Sequence, residues 1–147
     1  GPIHAELRID KNNKAWILEV ASRTIGGDCA RTLDSDNGFS IEELTITLAI
    51  NKDYTIQIDD SYRGVMMMPI KKGGILRRVE GLSEARKVEH IESVEIIIRQ
   101  GNELIPLPEG NQYPGYIFSR ASSQKAVITA LKTAYEKIEI VVAPVFH

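Results

Sequence analysis

The sequence predicts an α+β protein in two parts: a β-hairpin followed by a helix, then a small α+β domain built on an antiparallel sheet. Three observations predict it. Runs with strand character outnumber those with helical character, and several are joined by short links that suit antiparallel neighbours. The chain opens with two alternating segments, His4 to Asp10 and Ala15 to Val20, on either side of a polar turn. Near the other end Ala126, Val127, Ala130, Leu131, Ala134 and Ile138 fall on one stripe at helical spacing.

The elements follow in chain order. Lys11-Asn12-Asn13-Lys14 reads as a two-residue Asn-Asn turn, because Asn tolerates positive φ. A turn centred there pairs Asp10 with Ala15 and brings Glu6 opposite Glu19. Side chains alternate along strands. One face then carries Ala5, Leu7, Ile9, Trp16, Leu18 and Val20; the other carries His4, Glu6, Arg8, Asp10, Ala15, Ile17, Glu19 and Ala21. A polar loop from Ser22 to Gly38 follows. Ser40 with Glu43 forms a capping box, and Phe39 with Leu44 suits a hydrophobic staple, so a helix starts at Ser40 and runs to about Asn51. This helix is expected to cover one side of the hairpin. Tyr54 to Asp59 reads as a strand, and Asp59-Asp60-Ser61 as a turn and boundary. The predicted parts are therefore 1–61 and 62–147.

In the second part Val65 to Ile70 and Ile75 to Glu80 read as strands joined by a Gly-Gly hairpin turn in Lys71-Lys72-Gly73-Gly74. Pro69 suggests an edge position. Ser83 caps a short helix to about Val88. Ser93 to Arg99, Leu104 to Leu107 and Tyr116 to Ser119 read as strands. Ser123 opens the striped helix, and Glu139 to Val145 closes as a strand.

Composition narrows the function. The 147 residues are 43% hydrophobic, enough for a folded core, and the formal net charge of -2 carries no nucleic-acid footprint. Cys29 is the single cysteine, which excludes a disulfide framework and suits a reducing, cytoplasmic compartment. No apolar stretch approaches a membrane span. The chain starts on Gly-Pro-Ile without an initiator Met and with no signal peptide, as a piece of a longer protein would.

The chemistry concentrates in the hairpin. Carboxylates facing each other across strands repel. A divalent cation between Glu6 and Glu19 would relieve that, and hard cations prefer such oxygen ligands. Neutralisation of the two glutamates by His4 and Arg8 on a solvated face is the plainer alternative. Other signals have ordinary explanations. Met66-Met67-Met68 suits core filling. Lys72-Gly73-Gly74 could cradle a phosphate, but a turn explains it more simply. Gly26-Gly27 lacks the spacing of a nucleotide-binding fingerprint. His90 and His147 have no metal-ligand spacing, and Cys29 has no activating base beside it.

Gly1, Pro2, His4 and Glu6, followed by Glu19, Arg23, Gly26 and Gly27, resemble the end of an ATP-grasp domain. Ala21 stands where many members carry a metal-binding Asn, and the L-amino acid ligase branch is similar at this point. Gly64-Val65-Met66-Met67-Met68-Pro69 and Gly73-Gly74-Ile75-Leu76 look like the C-terminal domain of L-amino-acid-ligase-like and biotin-carboxylase-like enzymes. The resemblance implies a ligase joining a small-molecule carboxylate to an amine with ATP and Mg²⁺. It implies Glu6 and Glu19 as metal ligands, Glu19, Arg23, Gly26 and Gly27 as cofactor-binding residues, Arg23 as catalytic and His4 behind the metal ligands. It also implies missing N-terminal lobes of the same enzyme, so that this chain alone is inactive and self-associates as a homo-oligomer, most simply a dimer. A non-catalytic binding or oligomerisation module on the same scaffold is the alternative.

Overall fold

A computed structural model describes residues 1–34, 38–57 and 60–145. The chain divides into two units, Gly1–Asp59 and Asp60–His147. Among the described residues all strand pairs are antiparallel.

In the first unit β1 (His4–Ile9) pairs with β2 (Ala15–Ala21). The turn is one residue longer than the sequence suggests. The Asp10 backbone N–H donates to the Lys14 carbonyl at 3.0 Å, and Asn13 takes a left-handed φ of 60°. The Asp10 carboxylate also accepts from the backbone N–H of Asn12 and Lys14, at 2.8 and 3.0 Å. Asp10 thus organises a three-residue loop with a left-handed third residue, a standard hairpin closure. The longer turn puts Ile9 opposite Ala15, Arg8 opposite Trp16 and Leu7 opposite Ile17. A register shift between Glu6 and Leu7 then leaves Leu18 as the extra residue of a bulge and restores Glu6 opposite Glu19. The two errors of register cancel at the glutamates and nowhere nearer the turn. Consequently Trp16 moves to the charged face with Arg8, while Ile17 moves to the apolar face with Leu7.

Ser40 caps α1 (Ile41–Ala49) as expected, its Oγ accepting from the Glu43 N–H at 3.1 Å. The helix does not cover the hairpin as expected. None of its residues is buried, and Leu7, Ile9, Trp16, Ile17, Leu18 and Val20 are all more than half exposed. Within the predicted loop, Cys29–Leu33 winds into a short 3-10 helix. The strand predicted from Tyr54 does not form over 54–57, which has no ladder partner among the described residues; Ile58 and Asp59 lie outside them.

Among its described residues the second unit holds two three-stranded sheets. One has the order β3 (Tyr62–Met67), β7 (Gly115–Ala121), β5 (Ile91–Ile96). The other has the order β6 (Glu103–Leu104), β4 (Gly74–Glu80), β8 (Glu139–Ala143). Two helices, α2 (Leu82–Arg86) and α3 (Gln124–Glu136), pack on the first sheet. Ser123 caps α3, its Oγ accepting from the Ala126 N–H at 3.2 Å. The predicted stripe turns inward: Val127, Ala130, Leu131 and Ala134 are buried. Val127, Leu131 and Ala134 join Met68, Val94 and Ile117 in the core, each fully buried large side chain contributing roughly 1.5–3 kcal/mol. Gly64 lies opposite Ser119 in the β3–β7 ladder, and a Cβ there would sit 2.6 Å from Val127 Cγ1. The absent side chain lets α3 approach the sheet.

Two expectations are corrected here. Gly73-Gly74 is not a hairpin turn, because β3 and β4 belong to different sheets; Gly74 instead brings β4 against β8, where a Cβ would meet the Ala143 carbonyl oxygen at 2.3 Å. Helix α2 starts after Gly81 at φ 77°, with no side-chain cap, so Ser83 lies inside it. Pro69 follows the edge strand β3, in keeping with its missing N–H.

Candidate functional site

The charged face of the hairpin gathers the residues the sequence singles out. His4 pairs with Ala21 and Glu6 with Glu19 across the ladder, so the glutamates share a face despite the bulge. Each carboxylate has its own cationic or imidazole neighbour. The His4 Nε2 lies 3.7 Å from Glu6 Oε1, and an Arg23 Nη atom lies 3.6 Å from Glu19 Oε1. Both glutamate side chains are about half exposed, at 52%, so these pairs contribute at most about 1 kcal/mol each. The neighbours of the two glutamates are therefore His4 and Arg23, where His4 and Arg8 were expected. His4 reaches Glu6, but Arg23 rather than Arg8 takes Glu19.

His4 is the most enclosed member. Its side chain is 16% exposed, and its Nδ1 is buried without a hydrogen-bond partner. The ring is thus held with Nε2 on the side of Glu6. Among the described residues no group of three or more His, Cys, Asp or Glu could hold a metal ion. Two carboxylates supply part of a Mg²⁺ shell, which ordinarily is completed by water and phosphate oxygens. The donor set fits such an ion as one wall of a site.

Beyond β2 the backbone turns sharply. Gly27 has φ 66° and Asp28 has φ 55°, two successive residues in the left-handed region. A Cβ at Gly26 would meet nothing within 4 Å, so its backbone stands open to solvent. Arg23 also donates from Nη1 to the Thr24 carbonyl at 3.0 Å, which anchors one edge of its guanidinium. Cys29 is half-buried and its thiol donates weakly to the Gly27 carbonyl at 3.7 Å.

Two features have no motif in the sequence. At the hairpin tip the Trp16 Nε1 donates to Asp10 Oδ2 at 3.0 Å, and Lys14 Nζ lies 4.1 Å from the centroid of a Trp16 ring. These bonds hold the Asp10 pKa below its ordinary value, the Trp16 bond first and the Lys14 and Asn12 N–H groups after it. In the second unit a concavity of about 510 Å³ forms where the segments 97–102 and 111–116 meet. His90, expected at the surface, is exposed; His147 lies outside the described residues.

Residues 66–143 match a family model described as L-amino acid ligase C-terminal domain 2. Solved structures share the fold over nearly the whole chain. L-amino acid ligase from Bacillus licheniformis is 23% identical with a TM-score of 0.79, over 97% of this chain and 36% of that one. N5-carboxyaminoimidazole ribonucleotide synthetase from Thermotoga maritima is 15% identical with a TM-score of 0.72, over 96% and 37%. Phosphoribosylglycinamide synthetase from Anaerococcus prevotii is 14% identical with a TM-score of 0.74, over 96% and 37%. The chain thus spans little more than a third of these structures. A comparison with curated proteins gave no match. The expected likeness to the C-terminal part of L-amino-acid-ligase-like enzymes is borne out, as is the α+β antiparallel fold. The hairpin residues lie outside the matched 66–143.

Proposed function

We propose that this chain, which belongs to the L-amino acid ligase C-terminal domain 2 family, is the C-terminal part of an ATP-dependent carboxylate–amine ligase. The observation that carries this reading is Glu6 opposite Glu19, with Arg23 beside Glu19. In the full-length protein Glu6 and Glu19 would hold Mg²⁺, which when bound offsets phosphate charge. Arg23 would bind the transferring phosphoryl group, a task suited to a planar, bidentate donor. Gly26 and Gly27 would present backbone N–H groups to the substrate carboxylate. His4 would orient Glu6. A carboxylate oxygen would take the γ-phosphoryl group of ATP, forming an acyl phosphate as the bond from the γ-phosphorus to the bridging oxygen breaks and ADP leaves. The amine would then form the amide bond as the acyl–oxygen bond to phosphate breaks, with phosphate and a proton released.

The gripping lysines and glycine-rich loop of such an enzyme would lie in N-terminal lobes of the same protein. Chain 1–147 alone would bind nucleotide weakly and catalyse nothing. No helix among the described residues is long and apolar enough to cross a membrane, and the single cysteine suits a cytoplasmic enzyme. The exposed apolar hairpin favours one further reading: association of the isolated chain through this face, most simply as a dimer.

Activity assays on the full-length protein test the ligase. Glu19→Ala should nearly abolish ATP-dependent ligation with a smaller loss of binding, and Arg23→Lys should also lower turnover. Near-normal turnover in either variant counts against these roles. Calorimetry with ATP and Mg²⁺ and sedimentation of the isolated chain test the rest; tight binding by a clean monomer would overturn the fragment reading.

A further inference from the structure

Beside two isoleucines, the concavity in the second unit is lined by one cation, three amides and two phenols: Arg99, Asn102, Asn111, Gln112, Tyr113 and Tyr116. Its walls are pinned by backbone bonds. Leu76, 2% exposed in β4, accepts from the Gly101 N–H and donates to the Asn102 carbonyl, both at 2.8 Å. The Asn102 N–H closes a tight turn on the Arg99 carbonyl at 3.1 Å. On the other side the Pro114 carbonyl accepts from the N–H groups of Ile97 and Ile98, at 2.9 and 3.3 Å, and Pro114 itself is fully buried. The two lining segments are therefore fixed to each other and to the sheet before any ligand arrives. A polar concavity on a pre-formed frame has the character of a ligand site.

The lining specifies the ligand's chemistry. Arg99 is the only charged side chain in it, and it makes no ion pair among the described residues. One guanidinium matches one carboxylate in charge and in two-pronged geometry. A phosphate dianion would be half neutralised. Asn102, Asn111 and Gln112 each offer both a donor and an acceptor, which suits a peptide group rather than a second charge. The volume of about 510 Å³ is that of a small-molecule site. We propose that this concavity binds a small peptide-like carboxylate, with Arg99 on the carboxylate and the three amides on the adjoining peptide group. The site needs no residue of the hairpin and does not rest on the ligase reading.

The test is NMR titration of the 147-residue chain with N-acetyl-alanine, alaninamide and inorganic phosphate. N-acetyl-alanine should shift backbone amides in 97–102 and 111–113 saturably. Alaninamide, which lacks the carboxylate, should leave them in place, and phosphate should bind at least tenfold more weakly. Arg99→Gln should weaken N-acetyl-alanine binding at least tenfold, and Arg99→Lys should restore only part of it. The Arg99 side chain is exposed, so unchanged thermal unfolding serves as the control for folding. The proposal fails if N-acetyl-alanine causes no saturable shift, if Arg99→Gln binds it normally, or if alaninamide or phosphate binds as well.

Discussion

Replacing Gly64 by Ala tests how tightly α3 is set on the sheet. The new methyl would lie 2.6 Å from Val127 Cγ1 and 3.3 Å from Leu131 Cδ1. The Leu131 contact is with the end of a flexible side chain and yields. Val127 is β-branched, 5% exposed and stiff at χ1, so it cannot swing away and α3 must move. Overpacking of this kind costs about 1–3 kcal/mol. Val127→Ala by itself removes two methyl groups, costing about 1.6 kcal/mol at roughly 0.8 kcal/mol per buried carbon, plus a cavity term. In the double variant the methyl at position 64 enters the space that Cγ1 leaves. The two losses should then fall short of additivity by about 1–2 kcal/mol. Urea unfolding of the four proteins measures this, and in a domain of this size each kcal/mol moves the Tm by about 4–8 °C. Additivity within about 0.5 kcal/mol would refute the contact as the reason for the glycine.

Three other outcomes follow from the same structure. Gly81→Ala should destabilise the second unit more than Gly64→Ala, because its Cβ would meet the Lys137 carbonyl oxygen, a backbone atom, at a φ of 77°; chemical denaturation compares the two. Ser119→Ala should be neutral or stabilising by about 1 kcal/mol in the same assay, since the Ser119 Oγ is buried without a hydrogen-bond partner. The hairpin tip should open in acid. The folded pKa of Asp10 is lowered, so the stability it contributes is complete above the ordinary aspartate value and lost as pH falls through the folded one. Trp16, the single tryptophan, reports this by fluorescence with a midpoint below that ordinary value, and Asp10→Asn should abolish the transition.

Much of the fold was legible because it depends on short-range physics. Ser40 and Ser123 start their helices with their own hydroxyls, and the period of Val127, Ala130, Leu131 and Ala134 states which side of α3 is buried. The pairing of Glu6 with Glu19 was also predicted, although only because a longer turn and a bulge offset each other. Local sequence could not show this. Whether Asn13 or the Asn12–Asn13 pair makes the turn depends on the hydrogen bonds Asp10 finds, and a one-residue slip exchanges every side chain between faces. Trp16 and Ile17 changed places for that reason.

The sequence by itself determined most element types, the caps at Ser40 and Ser123, the striped helix, the facing glutamates and the likeness to L-amino-acid-ligase-like enzymes. The tertiary structure decided which strands share a sheet. Two strands flanking Gly73-Gly74 look like a hairpin, yet β3 pairs with β7 and β4 with β6 and β8, because ladder partners are chosen by contacts far apart in the chain. It also decided which glycines are obligatory, since a Cβ at Gly64, Gly74 or Gly81 meets atoms supplied by distant elements. The meeting of Arg99 with Asn111, Gln112 and Tyr113 has the same origin: their segments converge through the Pro114 carbonyl and the Leu76 backbone, and no spacing along the chain encodes that convergence.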